Sequence, residues 1–349
     1  MHQLVFYPIG WQPPSPQIRK QFLDPNFTGS PYYGFVGNQK ALNRVARVDY
    51  DALGKHNHES ADINLAFIGK PGTGKTDLVK RHNKARGLPF AEFSPRSLKN
   101  LTDVYNGILF ALDKAGLTPL IHKGIHVLPP MDIFFDEVHA LNNNIVQGLL
   151  KATEHNDRTL VTDKGVVIDC KYVHWMIATT DRGKLFDAFD TRFMKVNLNM
   201  YSKGEIAHIV GVHYNDWQTE VCNLVAHYCG RVPREALAFA REMKLEHNMN
   251  PDSWDNIAHK VAEDNDIDPF GLTYQRLAIL KALGHGPVAE KRLPAVAGVK
   301  SEELEKYVLP YLVEDTDEQG AFVTVTTKGY TITKHGIAEL DKRNITHKY

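Results

Sequence analysis

Three features of the sequence predict an α/β domain with a parallel sheet, then an all-α segment, then a small unit of helices and a β-hairpin. The first is an apolar run, Leu65-Ala66-Phe67-Ile68, leading into Gly69-Lys70-Pro71-Gly72-Thr73-Gly74-Lys75-Thr76 and then Asp77-Leu78-Val79-Lys80, which reads as a helix start. The second is a pair of further, largely apolar runs, Met131–Phe135 and Trp175–Ala178, without the alternation of a half-exposed strand. Runs of that kind are strands buried on both faces, as in parallel sheets. The third is a helical pattern from Ser202 to about Asp264, followed by three more helical stretches and two alternating segments around Thr327-Lys328-Gly329.

The loop Gly69–Thr76 fits G-x-x-x-x-G-K-[ST], the phosphate-binding P-loop. Glycines let backbone N–H groups close around an anion, and the helix start adds partial positive charge. Gly69, Gly72, Thr73, Gly74 and Asp77 frame that cradle. Lys75 reaches the β- and γ-phosphates, and the Thr76 hydroxyl holds Mg²⁺. A chance glycine-lysine turn is the alternative, disfavoured by the strand before and the helix after.

In chain order, residues 1–33 carry six prolines, at positions 8, 13, 14, 16, 25 and 31, and favour an extended arm over a helix. The aromatics Phe6, Tyr7, Trp11, Tyr32 and Tyr33 would lay this arm on an apolar surface, of its own domain or of a partner. Phe35-Val36-Gly37 leads into a helix with Leu42, Val45, Ala46 and Val48 on one side, placed to flank an adenine or simply to pack. Pro89–Phe93 reads as a strand and Asn100–Ala115 as a helix; residues 116–130 read as a loop-like insertion. The Met131–Phe135 strand delivers Asp136 and Glu137 at its C-terminal end. Asp136 is placed to hold Mg²⁺ through its water shell, and Glu137 to orient and deprotonate an attacking water. Arg158–Cys170 suggests a hairpin turning at Asp163-Lys164-Gly165. Thr180 ends the next strand, either as a γ-phosphate or water sensor or as an ordinary strand-end residue. Phe186–Phe193 follows, with Arg192, and Met194–Leu198 is the last strand.

In the helical segment, Pro233 suits a first helical turn, putting Arg234 where a cation opposes the helix dipole. That placement points to an anionic partner or to a solvated arginine. Helices are expected at Thr273–Leu283, Val288–Val296 and Ser301–Val313, the last capped by Ser301. With strands at Ala321–Thr326 and Tyr330–Thr333, this is the outline of a winged helix.

The 349 residues allow two or three domains, and the composition, 43% hydrophobic and 23% charged, is that of an ordinary globular protein. Lysine plus arginine equals aspartate plus glutamate at 41 each, which excludes a strongly basic nucleic-acid coat. Cys170, Cys222 and Cys229 show neither disulfide nor zinc spacing, fitting a reducing compartment. His56 and His58 lack further ligands and read as a solvated loop. No transmembrane or secretory segment is expected, and the expected location is cytoplasmic.

Taken together and in order, Phe35-Val36-Gly37, the Gly69–Thr76 loop, Asp136-Glu137-Val138-His139, Ala178-Thr179-Thr180, Thr191-Arg192-Phe193, Val232-Pro233-Arg234 and the winged helix make the chain resemble the RuvB family, the AAA+ motors of bacterial Holliday-junction branch migration. Asp268-Pro269-Phe270-Gly271-Leu272, Gly286-Pro287-Val288 and Leu309-Pro310-Tyr311-Leu312 carry the likeness into the third domain. The resemblance implies an arm at 1–33, an AAA+ αβα domain at 34–199, a helical lid at 200–267 and a winged helix at 268–349, assembled as a hexameric ring. It implies ATP and Mg²⁺ as ligands, DNA as the partner, and an accessory junction-binding or replication protein. Thr180 matches sensor one, Arg234 the lid's sensor two, and Arg192 the arginine finger that completes a neighbouring subunit's site. Such a finger is worth roughly 10³–10⁵ in turnover. The family's DNA-contacting wing arginines correspond to Val325 and Tyr330 here, leaving Lys328 as the basic wing residue. Glu302, Glu303 and Glu305 make the preceding helix acidic. The hairpin near 158–170 is shorter than the family's partner-docking one.

Two functional classes follow, and a third is disfavoured. One is a duplex-DNA translocase acting at branched junctions; another is a loader or remodeller of a replication protein complex. A non-catalytic, nucleotide-locked scaffold is argued against by the complete set Lys75, Asp136, Glu137 and Arg192. A helicase with two RecA-like halves is excluded, because the chain after His139 has no room for a second half.

Overall fold

The computed structural model describes residues 15–53, 63–180, 183, 189, 191–313 and 320–348. They form two compact units: the chain up to Gly69 with Gly74–Leu198, and Lys70–Thr73 with the chain from Asn199 onward. The sequence expectations for Phe6, Tyr7, Trp11, His56 and His58, and for most of 181–190, lie outside the described residues.

The first unit is built on a five-stranded parallel sheet in the order β2-β5-β8-β1-β9. Its strands are β1 (Asn64–Gly69), β2 (Phe90–Phe93), β5 (Met131–Phe135), β8 (Val173–Thr179) and β9 (Phe193–Leu198). The interior strands β5 and β8 are buried at every position. Alternate residues serve opposite faces, as the period of two requires. Trp175 and Ile177 join Ile133 and Phe135 in one core, with α4 (Leu101–Lys114) and α5 (Asn143–Ala152). Met176 and Ala178 join Phe134 and Phe67 in the other, with α2 (Gln39–Leu53) and α3 (Lys75–Arg86). Helix α4 starts at an Asn100 cap whose partner Asp103 completes a capping box.

Two expectations for this unit need correction. The segment 116–130 is not a loop: it contains β3 (Leu120–His122) and β4 (Ile125–Val127), joined at Lys123-Gly124, both with positive φ. Such a two-residue turn suits a tight hairpin. Strand β4 pairs in parallel with β7 (Val167–Asp169), which pairs with β6 (Thr159–Val161), giving a second sheet in the order β3-β4-β7-β6. The strands are three residues long and gain their pairing from a distant hairpin, so local pattern did not show them. The arm is not wholly extended either. Pro16–Phe22 forms helix α1, capped by Ser15, because proline at the first helical position lacks only an N–H that would be unpaired anyway. Leu23 and Tyr32 of this segment are buried in the unit's own core.

The second unit is helical, at Lys203–His213, Thr219–Tyr228, Pro233–Met249, Trp254–Asp264 and Tyr274–Gly284, before the segment that ends in β10 (Val323–Thr326) and β11 (Gly329–Ile332). Val288 does not start a helix, as the sequence suggested. It bridges to Tyr330 as an extra extended residue beside the wing, and the α-helix begins only at Leu293. The Val288 N–H and carbonyl both pair with Tyr330, at 3.0 and 2.9 Å, and are not available to a helix. Ser301 is not the cap of its helix; Lys300 takes the extended capping position and Ser301 is already helical.

Candidate nucleotide site

Parallel topology brings the C-terminal ends of neighbouring strands β5, β8 and β1 to one edge of the sheet, where ligands of open α/β sheets bind. At the end of β1, Gly74 (φ 91) starts α3. The Lys75 ammonium folds back and donates to the Gly69 carbonyl at 2.8 Å. The Thr76 hydroxyl donates to Asp136 Oδ2, 3.1 Å away at the end of β5. Glu137, next in the chain, adopts the left-handed backbone (φ 56), and its Oε2 accepts from the Thr180 N–H at 3.1 Å and the Thr180 hydroxyl at 2.9 Å. Lys75, Thr76, Asp136, Glu137 and Thr180 are therefore brought together within the first unit.

Other sequence candidates lie elsewhere. Asp77 is paired with Arg81 at 2.8 Å, one turn along α3. Arg81 also donates to the Pro31 and Tyr33 carbonyls and lies 5.7 Å from the centre of the Phe35 ring, fixing the Phe35-Val36-Gly37 segment to α3. The Phe35 ring itself is part of the apolar core. Arg192 is at the opposite end of the sheet: its carbonyl meets the side chain of Asn64, the first residue of β1, and its guanidinium is 3.8 Å from Glu154. Six residues of β1 separate that end from Gly69, about 16 Å of strand.

Within the second unit, Gly72 (φ 77) lies against Val232 and Arg234. A side-chain carbon there would come within 2.6 Å of Val232 Cγ1 and 3.0 Å of Arg234 Cβ, so only glycine fits. Thr73 is fully buried; its hydroxyl donates to the Lys70 carbonyl at 2.9 Å and its carbonyl accepts the Tyr201 hydroxyl at 3.0 Å. Arg234 is in the first turn of the helix that Pro233 opens, as expected. Lys328 occupies the turn between β10 and β11, and Val325 of β10 is exposed.

The lysine and the paired hydroxyl and carboxylate suit a triphosphate with a hard divalent ion. Among the described residues no group of three or more His, Cys, Asp or Glu side chains could hold a metal ion. Mg²⁺ needs no such cage, since it keeps several waters and takes one or two protein ligands beside phosphate oxygens.

Sequence reasoning missed three contributors. His139 places Nδ1 3.3 Å from Glu137 Oε2 and 3.0 Å from the Thr179 hydroxyl; its nearness in Asp136-Glu137-Val138-His139 was the available signal. Arg81 lies four residues after Asp77, and Tyr201 follows the last strand. Also unforeseen is a buried polar chain behind the site. Tyr32 donates to Asp49, Asp49 meets His82 Nδ1 at 2.8 Å, and His82 Nε2 meets His174 Nε2 at 2.9 Å. Beside it, Arg86 and Asn83 hold buried Asp132, each at 3.0 Å. Burial, reinforced by Arg86 and His82, holds the His174 imidazole well below its ordinary pKa.

Residues 65–200 match the AAA family, the ATPase family associated with various cellular activities. Among solved structures, the chain is similar to the Thermotoga maritima RuvB Holliday junction branch migration motor, with 20% identity and a TM-score of 0.66 over 90% of this chain and 97% of that one. Two mutants of the same protein match over the same shares, with identities of 20% and 21% and TM-scores of 0.67 and 0.66. Among the described residues, no helix is long and apolar enough to cross a membrane. Residues 65–200 thus carry an AAA domain, and the chain as a whole is similar in fold to RuvB.

Proposed function

We propose that this protein is an ATP-hydrolysing ring motor, a hexamer that translocates duplex DNA at branched junctions in recombination or repair. The observation that carries the chemistry is the convergence of Lys75, the Thr76–Asp136 pair and the Thr180–Glu137 clamp at one sheet edge. Lys75 leaves the Gly69 carbonyl to hold the β- and γ-phosphates. Thr76 and Asp136 would hold Mg²⁺, which neutralises charge building on the phosphates. Glu137 takes a proton from water as the water oxygen bonds to the γ-phosphorus and the β–γ bridging oxygen departs with ADP. Thr180 fixes Glu137, Arg234 reads the phosphates from the lid, and Arg192 serves the site of the next subunit. In this reading 34–199 is the motor domain, 200–267 the lid and 268–349 the winged helix, working in the cytoplasm.

The RuvB-like fold supports DNA as the target, with Lys328 the basic residue of the wing. The test is ATP turnover against single-stranded, duplex and four-way-junction DNA, alongside particle mass with ATP. Stimulation by duplex or junction is expected; no DNA binding even at low salt would remove the translocase reading. A second reading, a loader or remodeller of a replication protein complex, is favoured by the exposed Val325 on the wing and the exposed Leu120 and Ile121 on the added sheet. It predicts stimulation by a protein target and none by DNA.

A further inference from the structure

The carboxylate of Glu137 is gripped by one oxygen. Oε2 accepts both hydrogen bonds from Thr180, and the same oxygen faces His139 Nδ1 at 3.3 Å. That nitrogen also meets the hydroxyl of Thr179, the last residue of β8, at 3.0 Å. His139 lies in the one-turn helix Val138–Ala140 that follows the left-handed Glu137. The reversal at Glu137 returns the imidazole to a carboxylate only two residues upstream.

We infer that His139 is a positioning residue for hydrolysis, fixing Glu137 through Oε2 so that Oε1 is presented to the attacking water. The inference rests on the reading of Glu137 as the general base. The nearby carboxylate favours the imidazole tautomer with hydrogen on Nδ1; that N–H donates to the Thr179 hydroxyl, which holds the ring against Oε2. Glu137 has a half-exposed side chain with several accessible rotamers, and a base acts only when its lone pair addresses the proton. The two Thr180 donors and the imidazole held beside the same oxygen restrict the rotamer and draw charge toward Oε2. The water O–H bond then breaks toward Oε1 as its oxygen bonds to the γ-phosphorus and the β–γ bridging oxygen leaves with ADP. None of these contacts is made by the Gly69–Thr76 loop, so His139 governs the rate of the step and not the affinity for ATP.

The test measures kcat, KM for ATP and melting temperature on the full chain for His139→Leu, His139→Asn and Glu137→Gln. An asparagine amide can offer an N–H close to the place of Nδ1; leucine cannot. His139→Leu should lower kcat about tenfold, as loss of a group that holds a charged base in place does, with KM and melting temperature unchanged. His139→Asn should recover most of kcat. Unchanged turnover in His139→Leu overturns the inference, as do equal losses in both His139 variants. Should the leucine variant melt early, the asparagine variant decides alone: turnover near the parent's supports the role, and a tenfold fall overturns it. Glu137→Gln separates the two levels. Retained turnover there removes the base reading and this inference with it, whereas lost turnover beside an unaffected His139→Leu removes only the role of His139.

Discussion

Glu137 occupies a backbone region that non-glycine residues rarely enter (φ 56). Holding it there costs about 1–3 kcal/mol, which neighbouring contacts offset. Glu137→Gly should therefore leave the melting temperature no lower while removing turnover, a separation of stability from activity that calorimetry beside an ATPase assay would show. Behind the site, His174 carries a pH dependence. Its imidazole is kept neutral by burial, with a folded pKa well below the unfolded one. The unfolded chain binds the extra proton first, so stability is complete above about pH 6.5 and falls below it by about 1.4 kcal/mol per pH unit for this one group. Melting temperature should drop between pH 7 and 5.5, and His174→Phe should flatten that slope; an equal slope in the variant would assign it to other groups.

At the scale of elements, the turn after Asp268 shows how a polar cluster fixes a junction inside the second unit. Asp268 accepts from the Phe270 and Leu272 N–H groups, while Arg343 reaches both Asp268 and Glu339, with closest distances of 2.6 and 2.7 Å. Burial works against both carboxylates, yet Arg343, with Lys342 at Glu339, holds their pKa values below the ordinary ones. Their contribution is present above about pH 4 and is lost as pH falls through the lowered values. Arg343→Met leaves two half-buried carboxylates without their guanidinium and should lower stability by about 3–5 kcal/mol, measured by urea unfolding at neutral pH. Gly271 (φ 84) completes the turn, because a side-chain carbon would lie 2.2 Å from the His227 carbonyl.

At the scale of the whole molecule, the position of Arg192 supports the proposed ring. Arg192, the proposed finger, is on the opposite sheet end from Lys75, so in that reading one chain does not supply both to a single site. Lys75→Ala and Arg192→Ala subunits should each be inactive as pure rings, and mixtures should regain turnover where an intact site meets an intact finger. No recovery at any mixing ratio would count against the shared site. Net charge is zero, so the proposed DNA contacts would be local. Affinity should still fall with salt, with a slope of about 0.9 per phosphate contacted, and Lys328→Ala should reduce that slope by about one.

The amino-acid sequence alone determined the parallel α/β sheet, the P-loop, the Asp136-Glu137 strand end and the helical start at Pro233, because each rests on local periodicity or a short motif with its own chemistry. Only the tertiary structure decided what depends on partners far along the chain. The second sheet needs β4 beside β7; the buried Tyr32–Asp49–His82–His174 chain needs two helices and a strand to meet. Lys75 and Asp136 were legible because spacing and type define them, whereas His139 gains its meaning from Thr179, forty residues away. Local pattern fixes which surface an element buries; which polar groups then face one another is settled when those surfaces pack.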